Sequence, residues 1–309
     1  MKKLFGSMAM LVATLLWGTA FSAQSMGMKF LKPMVFTTLR SVVGVAALAV
    51  IIIAVDLCRR RRISFWGNAA TPAERKTLLL GGIFCGMALA PASICQQWGL
   101  IYTNVGKTGF LTALYIIIVP LAGIFFRRKT SPALWGAVLL ALAGTYLLCG
   151  GIGNIGKGEC FVIACSVIYS VHILVIDRYA PQCDCIRLSC IQFIVASLLA
   201  ALGALIIREP WQTADISASL PFWVFCGVGS SAIAFTLQMT AQKYLHPVTA
   251  TLIMSLESVF AVLGGWIFLH EHLNGIELLG CGTIFAAVIL AQLPTKPAGK
   301  PPAAPDGRG

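Results

Sequence analysis

The stretch YTNVGKTGFLTALY at residues 102–115 returns, in degenerate form, as YLHPVTATLIMSLE at residues 244–257. Tyr102 falls on Tyr244 and Tyr115 on Glu257, a shift of 142 residues. An earlier part of the chain repeats at a shift of 152. There Trp17, in the run Leu15-Leu16-Trp17-Gly18-Thr19-Ala20-Phe21, falls on Tyr169, and Arg40 falls on Gln192. Gly136 and Gly280 open the last matched segment of each half. The common order of these matches predicts two related halves.

Composition says what kind of halves they are. Of 309 residues, 58% are hydrophobic and 11% charged, against about 25% charged in a soluble domain. A soluble enzyme, a disordered protein and a secreted disulfide scaffold are all excluded, because none can be built with so little polar surface. An α-helix crosses the hydrocarbon of a bilayer in about 20 apolar residues. The apolar runs predict an all-α membrane protein with ten transmembrane helices, near 4–25, 34–55, 78–100, 106–126, 132–150, 159–177, 187–207, 219–241, 247–269 and 274–293. Pro33, Pro132 and Pro247 lie near span starts, where a missing N–H costs little. The tightest connection is Tyr102–Val105. Five spans is an odd number, so the halves, residues 1–152 and 153–293, insert in opposite orientations. Two inverted five-helix repeats are a frequent plan of secondary transporters, with the substrate site near the midplane between them. The tail, 294–309, is rich in Pro, Ala, Lys and Gly and is expected to be disordered.

The net charge of +12 is distributed by topology. With the N-terminus inside, most basic residues fall in inner segments: Lys2, Lys3, the run Arg59–Arg62, Arg75, Lys76, Arg127, Arg128, Lys129, Arg178, Arg187, Lys243 and the tail. The positive-inside rule then places both termini in the cytoplasm of a plasma membrane, expected to be a bacterial inner membrane. Arg59–Arg62 lacks interleaved aromatics and reads as a topology determinant, not a nucleic-acid patch. Residues 1–23 have a basic start and small residues at Ala20–Ala23, but the apolar stretch outruns a signal peptide, and cleavage would break the match between halves.

Ionisable and polar groups inside spans are costly and tend to face a cavity. Glu257 is the one acidic residue near the middle of a span; there it can gain and lose a proton or meet a substrate cation. Cys165, Tyr169 and His172 share a helix face, as do Ser231, Phe235, Gln238 and Gln242 in span eight. Ser93, Gln96 and Gln97 in span three, Thr108, Thr112 and Tyr115 in span four, and Thr14, Trp17 and Phe21 in span one make further stripes. Such stripes also glue helices together. Their presence in both halves predicts a partly polar, aromatic-walled cavity with Trp17, Gln97, Tyr115, His172, Gln238 and Glu257 as substrate-binding candidates and Glu257 as the proton-coupling candidate. Arg40 and Lys107, toward the outer side, either snorkel or attract an anionic group such as a carboxylate. Together with Glu257 they would suit a zwitterion.

The stretches Leu16-Trp17-Gly18-Thr19-Ala20-Phe21, Gln97-Trp98-Gly99-Leu100-Ile101-Tyr102 with Gly106-Lys107-Thr108-Gly109-Phe110, and Ser255-Leu256-Glu257 followed by His270-Glu271 resemble the EamA family of the drug/metabolite transporter superfamily. The resemblance covers residues 4–293. It implies ten helices, two EamA repeats and transport of small metabolites, often export. The family usually has Pro directly after the glutamate of span nine; this chain has Ser258, while Pro120 remains in span four.

Other motifs carry less. Gly151, Gly153 and Gly156 satisfy G-x-G-x-x-G without the strand a dinucleotide site needs. Gly82 and Gly86 read as close helix packing. His270-Glu271-His272 lacks the spacing of a zinc helix. The 11 cysteines are scattered as apolar packers, with a Cys149–Cys160 pairing as an alternative. The expectation is a transporter with no cofactor or metal, partnered by the lipid bilayer and a small-molecule substrate, with no nucleic acid, acting as a monomer or homodimer. The rivals are a membrane-embedded enzyme acting on a lipid-linked substrate and a non-transporting scaffold.

Overall fold

A computed structural model describes residues 1–60, 63–125, 132–148, 156–269 and 274–292. The second pair of the Arg59–Arg62 run, the basic cluster 127–129, Gly151 and Gly153, Cys149, His270-Glu271-His272 and the tail lie outside the described residues.

All regular secondary structure among the described residues is helical. The first half comprises α1 (Lys2–Gly27), α2 (Pro33–Arg60), α3 (Pro72–Tyr102), α4 (Val105–Thr112), α5 (Tyr115–Phe125) and α6 (Pro132–Leu148). The second comprises α7 (Lys157–Tyr179), α8 (Cys185–Ile206), the short α9 (Thr213–Ala218), α10 (Leu220–Phe225), α11 (Phe235–Gln242), α12 (Pro247–Met254), α13 (Leu256–Leu269) and α14 (Gly275–Gln292). A π-helical stretch, Cys226–Ala234, joins α10 to α11 in one continuous span. Among the described residues, eight spans are long and apolar enough to cross a bilayer, and two shorter apolar helices, Pro132–Leu147 and Leu278–Leu290, accompany them.

Local chemistry sets the ends. Pro33, Pro72, Pro132 and Pro247 each occupy the first helical position, where their fixed φ suits a helix start. Thr71 and Glu74 form a capping box that starts α3 six residues before the apolar run does. Asn104 accepts from Lys107 N–H at the start of α4, and His246 accepts from Val248 N–H at the start of α12. These two caps are themselves 142 residues apart.

Two expected single spans are broken. Between α4 and α5 the hydrogen bonds tighten, with Leu114 N–H donating to Leu111 carbonyl and Ile116 N–H to Ala113 carbonyl. Between α12 and α13, Ser258 N–H reaches only to Ser255 carbonyl. The break in the second half needs no proline. Ser258 instead donates its hydroxyl to the Gly109 carbonyl of α4 at 3.0 Å, fastening one broken span to the other.

The packing obeys an exchange of halves. α1 lies against the broken span α12/α13 and α7 against the broken span α4/α5. α1 also packs on the π-helical span, as α7 does on α3; α2 packs on that π stretch, as α8 does on α3. The pairs α2·α8 and α6·α14 map onto themselves. In lipid the helices gain little from hiding apolar surface, so close approach through small residues matters more. At Gly18 an added Cβ would sit 2.2 Å from Phe260 Cβ, and at Gly82 and Gly86 it would sit 2.5 Å from Ile191 and 2.6 Å from the Gln192 carbonyl. The Gly82/Gly86 motif therefore packs α3 on α8.

The α2·α8 pair is fastened at both ends. Near the end carrying the C-terminus of α2, buried Arg187 bonds Asp56 at 2.7 Å, Asp184 at 2.8 Å and the carbonyls of Ser64 and Phe65. At the other end, Glu209 accepts from the N–H groups of Met34 and Val35 at 3.0 and 2.9 Å. Arg208, with φ of 55°, turns the chain after α8: Glu209 N–H returns to Ala204 carbonyl. This is a Schellman-type stop with arginine where glycine is usual. Burial lifts the Glu209 carboxyl above its ordinary range, against the two N–H groups that lower it.

Candidate functional site

Between the halves lies a cavity of about 30 Å³, lined by Trp17, Gln24, Arg40, Gln96, Thr112, Tyr115, Tyr169, His172, Ser230, Phe235, Gln238, Met254 and Glu257. At about 10–15 Å³ per water, it has room for two or three waters and not for a metabolite.

The lining repeats the exchange of halves at side-chain resolution. Gln96 donates to Thr112 Oγ1 at 3.4 Å, and Gln238, 142 residues later, donates to Met254 Sδ at 3.8 Å. The thioether is a poor acceptor, so the second contact is the weaker. Trp17 meets the Phe235 ring edge-on at 4.9 Å, and its counterpart Tyr169 bonds Ser93, the counterpart of Phe235, at 3.3 Å. Tyr115 donates to Glu257 at 3.2 Å. A difference in residue type puts a guanidinium at Arg40 and a carboxylate at Glu257 where the other half has Gln192 and Tyr115.

Six of the eight residues singled out by sequence line this cavity: Trp17, Tyr115, His172, Gln238 and Glu257, and Arg40, which was expected toward the outer side. Trp17 also donates its indole N–H to the Ser230 carbonyl at 3.3 Å. His172 Nε2 lies 3.0 Å from Gln192 Oε1, and its ring meets Phe235 edge-on. Gln97 is buried but turned from the lining; it donates to Gln24, and the neighbouring Gln96 takes the lining place. Lys107 is absent from the cavity and sits 3.9 Å from Glu159, which also accepts from Thr103 at 2.9 Å.

Gln24, Ser230 and Met254 were missed. Gln24 continues the Thr14, Trp17, Phe21 stripe by one more helical step, so its signal was present. Ser230 replaces the expected Ser231, which instead packs at Gly44. The π-helical stretch shifts the periodicity that an α-helical count assumes. Met254 has no polar signal at all; its position follows from Thr112 through the repeat.

Arg40 is 2% exposed and Glu257 7% exposed. Among the described residues no ion pair joins either of them to another charged side chain. Arg40 Nη1 bonds the neutral Gln24 Oε1 at 3.0 Å, and its Nε has no partner. One cavity lining thus carries a guanidinium side chain and an acidic side chain, the latter accepting a hydrogen bond from Tyr115.

The comparisons agree with this architecture. The EamA-like transporter family matches residues 4–150 and 156–293, one match per half. An uncharacterized transporter of Archaeoglobus fulgidus is 24% identical over 94% of this chain and 87% of its own length. The threonine/homoserine exporter RhtA of Escherichia coli K12 is 28% identical over 54% of this chain; the chain spans just over half, 57%, of that relative. A crystal structure superposes with a TM-score of 0.73 at 22% identity, over 93% of this chain and 96% of the other, which shows a shared fold. With a family match on each half and the two-fold exchange running through helices and side chains alike, the chain belongs to the EamA-like transporter family and is a multi-span membrane transporter.

Proposed function

We propose that this protein is a secondary exporter of small amino-acid-like solutes, working by alternating access between two inverted repeats of five spans. The observation that carries the substrate class is a basic and an acidic side chain in one cavity lining, Arg40 and Glu257, each without an ionic partner among the described residues. A zwitterion supplies both: its carboxylate meets the guanidinium, and its ammonium meets Glu257. The remaining lining, with two carboxamides, hydroxyls and Trp17, Phe235 and Tyr169 as walls, suits a short polar side chain. Similarity to a threonine/homoserine exporter supports the same class and the direction.

The space of about 30 Å³ is too small for such a solute, so the helices must part to load it. The two broken spans meet at Ser258–Gly109 and Tyr115–Glu257, and in this reading those contacts open and close. Glu257 takes a proton when substrate leaves and releases it when water or an ammonium arrives, which couples the fluxes. Ten spans return the C-terminus to the cytoplasmic side of a plasma membrane. The test is proteoliposome transport of a panel of L-amino acids, with and without a pH gradient. Saturable transport of at least one, stimulated by the gradient, is expected. Failure of every amino acid would refute the substrate class.

A further inference from the structure

The hydrogen bonds around Arg40 assign a role to a neighbouring residue of the lining. We infer that Gln24 is a positioning and specificity-determining residue: its neutral carboxamide holds the Arg40 guanidinium in the cavity wall without neutralising it, leaving the charge for a substrate carboxylate. The inference rests on the zwitterion reading above and deepens it.

Gln24 is 3% exposed and lines the same cavity as Arg40. Its Oε1 accepts two donors, Arg40 Nη1 at 3.0 Å and the Gln97 amide. Arginine only donates, so the atom facing it must be the oxygen. The Gln97 amide, from α3, steadies that oxygen from a second helix. Arg40 is thus fixed by one acceptor, while its buried Nε remains without one.

The chemistry of the acceptor decides what the site can bind. An amide oxygen orients a guanidinium but carries no charge, so the site stays positive and short of acceptors. A carboxylate of the same length would satisfy the same donor and cancel the charge, since charge-assisted and bidentate pairing with Arg is the stronger bond. It would occupy Arg40 as the substrate carboxylate does. One oxygen in place of one nitrogen therefore separates a carboxylate-binding site from a self-neutralised one.

The test compares the parent, Gln24→Glu and Gln24→Met in proteoliposomes. The probes are the best-transported L-amino acid of the panel and the amine formally derived from it by decarboxylation, used as a competitor. For Gln24→Glu, the KM for the amino acid is expected to rise at least tenfold with maximal rate within about threefold. Competition by the amine should strengthen in the same variant. Opposite movements for two ligands differing only in the carboxylate are not produced by a merely loosened fold. Gln24→Met removes the acceptor without adding charge, and a smaller rise in KM of about threefold is expected. If Gln24→Glu does not reach the membrane, Gln24→Met carries the test, and an unchanged KM there overturns the assignment. An unchanged KM in Gln24→Glu overturns it directly. If the parent transports no amino acid, the underlying reading falls and this one with it; transport by the parent with insensitive variants removes only the role of Gln24.

Discussion

Tyr115 and Glu257 occupy equivalent places in two broken spans, 142 residues apart, and bond each other at 3.2 Å across the join between halves. A repeat that began symmetric has here become a donor on one side and an acceptor on the other. The bond joins the two broken spans within the cavity lining.

Glu257→Gln keeps shape and hydrogen-bonding capacity but cannot titrate. It is expected to abolish pH-driven net transport while substrate exchange survives. Normal pH-driven transport at normal expression would leave Glu257 as a packing residue.

Tyr115→Phe removes the donor and strands a buried carboxylate. A buried group left unsatisfied costs about 1–3 kcal/mol, so a lower thermal midpoint of the detergent-solubilised protein is expected, together with an altered KM. An unchanged midpoint and KM would mean that water replaces the hydroxyl at no cost.

Arg187 and Asp56 fasten α2 to α8 where both are fully or nearly buried. Breaking a buried pair from one side costs about 3–5 kcal/mol. Arg187→Met and Asp56→Asn are each expected to reduce folded yield sharply, and the double variant should lose less than the two single losses added. Strict additivity in thermal unfolding would show that the two groups do not interact.

Arg208 sits at φ of 55°, a conformation that costs a residue with a Cβ about 1–2 kcal/mol. Part of that is offset in Arg208→Gly by the freer unfolded chain. A net gain of about 0.5–1 kcal/mol is expected, read as a small rise in thermal midpoint. A fall would place the arginine side chain in an unrecognised contact.

Cysteines placed at Ala214 and Asn68 report orientation. Both positions are exposed. Labelling by an impermeant thiol reagent in intact cells is expected at Ala214 and absent at Asn68 until the membrane is opened. Gly153 should behave as Ala214 does, and Lys300 as Asn68. Outside labelling at Asn68 would reverse the assigned topology.

Run length and composition alone determine that this chain is a bundle of membrane helices, because hydrocarbon admits only helices and closed barrels and apolar runs of about 20 residues match the helix, not the strand. The repeat, the span starts at proline and the intramembrane positions of Glu257 and Arg40 were equally legible, since each depends on residue type at a given distance along the chain. The tertiary structure decided the rest. Whether a stripe residue faces the cavity depends on the neighbouring helix: Gln96 lines it and Gln97 turns to Gln24, though they are adjacent. Local geometry that breaks the period shifts the count, as the π-helical stretch does in presenting Ser230 and not Ser231. The interruption at Ser255 carries no proline to announce it and is fastened by Ser258 to a carbonyl 149 residues away. Lys107 carries the same charge as Arg40, yet only the tertiary structure gives one an acidic partner and leaves the other with an amide. These are properties of pairs brought together by folding, and no single stretch of sequence contains both members.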